Sequence, residues 1–211
     1  MRQFDSKLPS TGTTIFTQMS ELAAKHQAIN LSQGFPDFDS DPKLIELVAK
    51  AMQNGYNQYA PMYGNLELRE AIAKKMDALY GSTYHPENEI TITAGATQAI
   101  FTAIAATVEE GDEVIIFTPA YDCYEPAIDL VGGKTVFVEL KNPEYRINWE
   151  EVKKVINQRT KMIIINTPHN PTGTIMTGQD MVQLEKILDN SDILVLSDEV
   201  YEHILFDGYE H

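Results

Sequence analysis

The feature that most restricts the fold is an alternation of short β-branched runs with helical runs between residues 89 and 198. The apolar runs are EITITA, EVIIF, KTVFVEL, KMIIIN and DILVLS, and helical stretches such as TQAIFTAIAATVEEG and MVQLEKILDN lie between them. Strands that alternate with helices are typical of a mainly parallel sheet with helices on both faces. The sequence therefore predicts an α/β fold for this region.

The residues before this region predict helices and turns. Residues 1–14 are polar and predict an arm, and apolar residues at helical spacing follow from Ile15 to His26. Asp41 is suited to cap a second helix, with Pro42 at its first position, and LELREAIAKKMDALYG predicts a third. The turn-rich segments LSQGFPDF and YNQYAPMYGN separate these helices.

Charge and cysteine content limit the partners of such a fold. The formal net charge of -15 repels nucleic acid and anionic membrane surfaces. No stretch approaches the ~18 apolar residues of a membrane span. Cys123 is the single cysteine, which excludes an intrachain disulfide framework and offers no metal cluster. We therefore expect a small-molecule ligand, no metal and a cytoplasmic location.

Ligands of open α/β sheets bind outside the carboxyl ends of the strands, so the residues after each apolar run are the candidates. Gly95 permits a sharp turn after EITITA. The free N–H groups of Ala96 and Thr97 then open a helix whose dipole favours an anion, although a glycine there is also an ordinary turn. Tyr121 and Tyr124 follow EVIIF, where a phenol ring either stacks on a flat ligand or packs in the core.

The last two strand ends carry amides and an acid. Two prolines in TPHNPTG restrict the backbone after KMIIIN and so hold Asn166 and Asn170 with their donors and acceptors directed outward. Asp198 follows DILVLS, where a buried carboxylate needs a cationic partner, and no basic residue lies nearby in sequence. The two readings of Asp198 are a helix N-cap and a partner for a ligand-borne cation.

These strand ends together describe a ligand with an anion, a flat ring, an oxygen and a positive centre. Pyridoxal 5'-phosphate has all four. Its phosphate suits the helix that opens after Gly95, and its ring suits Tyr121. Its phenolate oxygen suits Asn170 and Tyr201, and its protonated pyridine nitrogen suits Asp198, which keeps the ring an electron sink.

Six motifs in order resemble the class I/II aminotransferases, which are fold-type I pyridoxal-phosphate enzymes: LSQGFPDF, NQYAPMYG, TAGATQAI, TPAYDCYEP, NTPHNPTG and SDEVYEHI. The likeness runs through essentially the whole chain. It is greatest to the kynurenine and glutamine aminotransferase subgroup and, within it, to bacterial methionine aminotransferases. It implies an arm and part of a small domain over residues 1–45, and a large cofactor-binding domain over residues 46–211.

The resemblance also implies roles for the cofactor-binding residues. Tyr121 would stack on the ring, and Asn166 would support the active-site loop. Asp198 would hold the pyridine nitrogen and Tyr201 would bond the phenolate oxygen. These two residues are the expected catalytic pair of this chain.

The same resemblance implies contacts to the substrate and to a second subunit. Gly34 would offer its N–H to the substrate carboxylate, Asn170 would contact both cofactor and substrate, and Ile15 would lie above the substrate. Tyr59 matches the residue that these enzymes send to the partner subunit's phosphate. The resemblance therefore implies a homodimer.

Two residues of the family pattern have no match in this sequence. In the family, the lysine that forms the Schiff base lies some tens of residues beyond the aspartate, and the arginine that binds the α-carboxylate lies near the C-terminus. This chain stops at His211, and Lys134, Lys161 and Lys186 match neither residue. We therefore expect an N-terminal half that is inactive alone.

The expected reaction of the complete enzyme moves the α-amino group of methionine, or of an aromatic or glutamine-type donor, to a 2-oxo acid. A pyridoxal-phosphate C–S β-lyase would keep the same cofactor contacts and stays an alternative. A nucleoside triphosphatase is a remote alternative, because GGKT resembles the end of a phosphate loop. The first glycine of such a loop would stand at position 128, which is Ile128, and GGKT runs into a strand and not a helix. A transcription regulator would need a basic DNA-binding module, and the first 30 residues hold only Arg2, Lys7 and Lys25.

Overall fold

A computed structural model of the chain describes residues 5–9, 12–34, 36 and 38–211. Phe35 and Asp37 of LSQGFPDF, and residues 1–4, 10 and 11 of the predicted arm, lie outside the described residues. The chain forms two compact units, Ser10–Ile92 and Met1–Pro9 with Thr93–His211. The domain boundary of the complete enzyme between residues 45 and 46 stays a prediction.

The unit Ser10–Ile92 contains the three helices that the sequence predicts: α1 (Ile15–His26), α2 (Pro42–Gln53) and α3 (Leu66–Tyr80). A polar side chain caps each N-terminus, as the sequence indicates for Asp41, whose Oδ1 accepts the Lys43 N–H at 2.7 Å. Thr14 and Asn65 cap the other two helices in the same way. These caps satisfy backbone donors that have no partner inside a helix.

Gly64 lies in a close backbone approach within this unit. Its φ is +91°, and the Ile92 N–H donates to the Tyr63 carbonyl oxygen at 3.0 Å. This hydrogen bond brings the Ile92 side chain over the glycine, where a Cβ would lie 2.5 Å from the Ile92 Cβ. The position therefore requires glycine for its backbone conformation and also for space.

The second unit contains a four-stranded parallel sheet in the order β2-β1-β3-β4. Its strands are β1 (Glu113–Thr118), β2 (Lys134–Glu139), β3 (Thr160–Asn166) and β4 (Leu194–Asp198). Its helices are α4 (Ala96–Thr107), α5 (Tyr124–Leu130), α6 (Trp149–Val155) and α7 (Gly178–Leu188). The predicted α/β fold is confirmed, and four of the five predicted strands are present.

The prediction of a strand at EITITA is wrong. Residues 89–94 form no ladder with a strand in the described parts of the chain, and the Ile92 N–H binds the Tyr63 carbonyl instead. A β-branched run becomes a strand only when a neighbouring strand takes its backbone hydrogen bonds.

The central strands β1 and β3 are buried on both faces, as expected for parallel strands covered by helices. Side chains alternate along each strand, so Val114 and Ile116 of β1 pack with α4 and α5, whereas Ile115 and Phe117 pack with α6 and α7. β3 divides its isoleucines in the same way. Helices on both faces are therefore confirmed.

Within the part of the chain that the structure describes, no helix has the length and apolar character needed to span a bilayer.

Glu113 begins β1 and anchors the segment before β3. Its carboxylate accepts a hydrogen bond from Asn157 Nδ2 at 2.7 Å and two from the Arg159 guanidinium, at 2.8 and 2.6 Å. The hydrogen bond from Asn157, followed by that from Arg159, holds the pKa of Glu113 below its ordinary value of 4.5. The folded state therefore favours the charged carboxylate.

We expect Glu113→Gln to remove part of the acid sensitivity of folding. Because the pKa of Glu113 is depressed in the folded state, its contribution is fully present above the unfolded value of 4.5 and is lost as the pH falls through the folded pKa. The variant should lose about 1 kcal/mol of unfolding free energy at pH 7, and this deficit should shrink in acid. Thermal unfolding across pH, with Glu139→Gln at an exposed site as control, tests this. A deficit that does not change with pH would contradict it.

Candidate active site

A cavity of about 210 Å³ lies at the carboxyl ends of β3 and β4, beside the N-terminus of α4. It is lined by residues from four separate segments of the unit: Ala96, Thr97, Tyr121, Asn166, Asn170, Asp198, Val200 and Tyr201. The structure therefore brings together seven of the predicted site residues, and Gly95 directly precedes the lining residue Ala96. Val200 also lines the cavity and is not among the predicted site residues.

Asn166 joins the ends of β3 and β4 to the loop that follows β3. Asn166 and Asp198 are paired in the parallel register. The Asn166 Nδ2 donates to the Asp198 carbonyl oxygen at 2.9 Å, and its Oδ1 accepts the Asn170 N–H at 2.7 Å. A buried amide that is bonded in this way holds both strand ends and the loop in one arrangement.

The loop TPHNPTG is closed by backbone hydrogen bonds within it and to the next residue, Thr174. The His169 N–H binds the Thr174 carbonyl at 2.8 Å, and the Gly173 N–H binds the His169 carbonyl at 2.7 Å. The His169 Nδ1 lies 2.8 Å from Thr172 Oγ1, and burial lowers the pKa of the imidazole. His169 therefore supports the loop, while Asn170 lines the cavity.

Asp198 is a buried acid, with 9% of its surface exposed. Its Oδ2 accepts a hydrogen bond from the Tyr124 hydroxyl at 2.6 Å, and its Oδ1 accepts one from the Val200 N–H at 3.3 Å. Across the described ranges, no lysine, arginine or histidine forms an ion pair with it. Residues 200–203 form a turn and not a helix, so the Asp198 carboxylate caps this turn through the Val200 N–H.

Tyr124 is the residue that sequence reasoning missed as a partner of the acid. It begins α5, is 3% exposed, and lies 74 positions before Asp198 in sequence. Burial, followed by its hydrogen bond to Asp198, raises the pKa of the phenol, so the hydroxyl keeps its proton and acts as the donor. Its spacing from Ala127 and Ile128 could have revealed its burial, but not its partner.

The N-terminus of α4 has no side-chain cap. Gly95 precedes the helix with φ 89° and ψ 166°, and the N–H groups of the first turn point along the helix dipole. Ala96 and Thr97 of this turn line the cavity. An anion can bind there, while Asp198 offers the same cavity a negative charge. The chemistry therefore suits a ligand with an anionic and a cationic end.

Three predicted residues belong to the unit Ser10–Ile92: Ile15, Gly34 and Tyr59. Ile15 begins α1 and is exposed, Gly34 lies outside regular structure, and Tyr59 is fully exposed. Their contacts with the substrate or with a partner subunit stay predictions.

Two further groups do not supply a reactive centre. Cys123 is half-buried, and burial raises the pKa of its thiol to about 11, which leaves little nucleophilic thiolate. Glu199, Glu202 and His211 bring one potential metal-ligand atom each within 4.8 Å of one another, but acidic groups near a surface commonly lie this close without an ion.

Comparison with known proteins gives close relatives among the aminotransferases. Methionine aminotransferase of Escherichia coli (strain K12) is 52% identical over 206 residues, which cover 98% of this chain and 53% of that protein. Human kynurenine–oxoglutarate transaminase 1 is 34% identical and matches 93% of this chain and 50% of its own length. The chain thus spans about half the length of the curated relatives it matches.

Solved structures agree in fold. The crystal structure of an Escherichia coli protein with a methionine aminotransferase function matches with a TM-score of 0.97 at 51% identity, covering 100% of this chain and 55% of that one. N-succinyldiaminopimelate aminotransferase from Mycobacterium tuberculosis matches with a TM-score of 0.93 at 38% identity, covering 99% and 55%. These matches confirm the predicted fold-type I architecture.

The family model described as "Aminotransferase class I and II" matches residues 26–210. All six motifs that carry the sequence resemblance lie within this range, and four of them contribute residues to the cavity. The chain therefore belongs to the class I and II aminotransferase family.

Proposed function

We propose that the complete protein is a pyridoxal-phosphate-dependent transaminase that moves the α-amino group of an amino acid to a 2-oxo acid. One observation carries the proposal: the Asp198 carboxylate, which has no cationic partner among the described residues, lines the same cavity as the uncapped N-terminus of α4. Family membership supports the reaction class, and the name of the Escherichia coli relative supports methionine as a donor.

The residues of the cavity fit the cofactor group by group. The first turn of α4 would bind the phosphate, and Tyr121 would contact the face of the ring. Asn170 and Tyr201 would donate hydrogen bonds to the phenolate oxygen. Asp198 would hold a proton at the ring nitrogen, because a buried carboxylate strongly favours a cationic neighbour.

When bound, pyridoxal phosphate supplies an electron sink for the negative charge that develops at the substrate α-carbon after proton loss. The contribution of this chain is to bind and orient. Asn166 would fix the loop that carries Asn170, since its amide bonds the Asn170 N–H and the Asp198 carbonyl. Gly34 and Ile15 would contact the substrate. Tyr59 would reach the phosphate in a partner subunit, which implies a homodimer, and we propose a cytoplasmic location.

The proton-transferring lysine and the carboxylate-binding arginine are proposed to lie beyond these 211 residues. This chain covers only 53% of the Escherichia coli relative, and no lysine or arginine is among the described residues that line the cavity. A general acid–base group contributes about 10²- to 10⁴-fold in rate. The 211-residue chain alone is therefore expected to show no transamination.

Absorbance of the complete protein tests cofactor and reaction together. We expect added pyridoxal phosphate to give a protein-bound visible band, methionine alone to bleach it, and a 2-oxo acid to restore it. Ammonia should not accumulate. An absent band would contradict the cofactor assignment. With an S-substituted cysteine in place of methionine and no 2-oxo acid, release of a thiol, ammonia and a keto acid would establish the C–S β-lyase instead.

A further inference from the structure

Tyr124 lies behind two residues of the cavity without lining the cavity itself. Its hydroxyl oxygen is 2.6 Å from Asp198 Oδ2, and its ring meets the Tyr121 ring edge-on, with centroids 6.0 Å apart and planes at 72°. One buried side chain therefore contacts both the acid and the aromatic ring that line the cavity.

The surroundings of Tyr124 leave its ring little freedom. It is 3% exposed and packs in the core cluster with Ile100 and Ile104 of α4, Ala127 and Ile128 of α5, and strands β1 and β3. Side chains packed in a core sit in rotamer minima and interdigitate with their neighbours. The direction of the Tyr124 hydroxyl is therefore set by the core and not by the ligand.

Asp198 has few other restraints on its carboxylate. Among the described residues, the one other donor to this side chain is the Val200 N–H, at 3.3 Å. The terminal torsion of an aspartate is broad, so a single long hydrogen bond restrains it poorly. The Tyr124 hydrogen bond is short and charge-assisted, which makes it the stronger restraint.

We propose that Tyr124 is a positioning residue, which holds the Asp198 carboxylate in the orientation that binds the cationic ring nitrogen of the cofactor. This inference rests on the proposed function. A residue of the core would thus act on cofactor binding through Asp198. Its hydroxyl keeps its proton because burial raises the pKa of the phenol. Removal of that hydroxyl should free the carboxylate and leave the ring packing intact.

The test is Tyr124→Phe in the complete protein, with Tyr145→Phe as the matched control. Tyr145 packs against the cluster on the opposite face of the sheet, so the control deletes a phenol hydroxyl that is not among the groups hydrogen-bonded to the Asp198 carboxylate. We expect Tyr124→Phe to weaken pyridoxal phosphate binding about 10- to 100-fold, which is the range for a hydrogen bond to a charged group. The visible band of the bound cofactor should also shift, and its pH dependence should change.

A double-mutant cycle with Asp198→Asn separates positioning from support of the fold. If Tyr124 acts through the carboxylate, Tyr124→Phe should change cofactor affinity by less than about 2-fold in the Asp198→Asn background. Equal losses in both backgrounds would overturn the inference, as would a lower Tm without a spectral change. A wild-type protein with no cofactor band would overturn the proposed function as well. A normal wild type with Tyr124→Phe equal to Tyr145→Phe would overturn the inference alone.

Discussion

Replacing Asp198 with alanine in the complete protein is expected to lower kcat about 10²- to 10³-fold, the usual loss for a preorganised electrostatic group. The carboxylate is buried and, among the described residues, free of cations, so its charge is available to the ring nitrogen. Some cofactor should still bind, because the N-terminus of α4, Asn170 and Tyr201 are unchanged. Steady-state kinetics and a cofactor titration measure the two effects separately.

Two matched variants sharpen this result. Asp192→Ala makes the same change at an exposed position before β4, at the opposite end of that strand, and should leave kcat near the wild-type value. Asp198→Asn keeps the shape of the side chain and an oxygen for the Tyr124 hydroxyl but removes the charge. It should lose nearly as much kcat as Asp198→Ala. Near-normal turnover in either Asp198 variant would defeat the role of the charge.

Gly64→Ala is expected to have the largest effect on folding, with a loss of about 2 to 4 kcal/mol of unfolding free energy. Part of the loss comes from a left-handed backbone at φ +91°, and the rest from the Ile92 side chain, with Cβ 2.5 Å from the new methyl group. The Ile92 Cβ cannot move away easily, because its backbone N–H is bonded to the Tyr63 carbonyl. Denaturant unfolding measures the change.

Gly55→Ala is the control for Gly64→Ala. Gly55 has nearly the same φ, +88°, but nothing lies within 4 Å of its added Cβ. It should therefore cost only the backbone strain, about 1 kcal/mol. If both variants lose the same free energy, the close contact between Gly64 and Ile92 has no energetic weight.

The sheet could be predicted because strands buried on both faces are continuous β-branched runs. β1 and β3 have such sequences, EVIIF and KMIIIN, and both lie inside the unit with helices on each side. EITITA has the same composition and forms no strand in the described chain. The difference between them is the presence of a neighbouring strand, which the composition of a segment does not encode.

The cavity could be predicted because parallel strands end at one edge. Asn166 and Asp198 each follow an apolar run, and the register places them side by side, although 32 positions separate them in sequence. The general rule for open sheets therefore indicated the residues that line this cavity. It could not indicate which polar atoms remain for a ligand, because the partners of Asn166 are backbone groups.

The sequence by itself determined the class of fold, the strand ends that carry polar residues and the family, because periodicity, turn chemistry and local motifs are written in neighbouring residues. Only the tertiary structure decided that Tyr124, and not a basic residue, bonds Asp198, and that EITITA stays outside the sheet. Both outcomes depend on groups far apart in the chain. Their hydrogen bonds form only after packing has set the distance and direction between them.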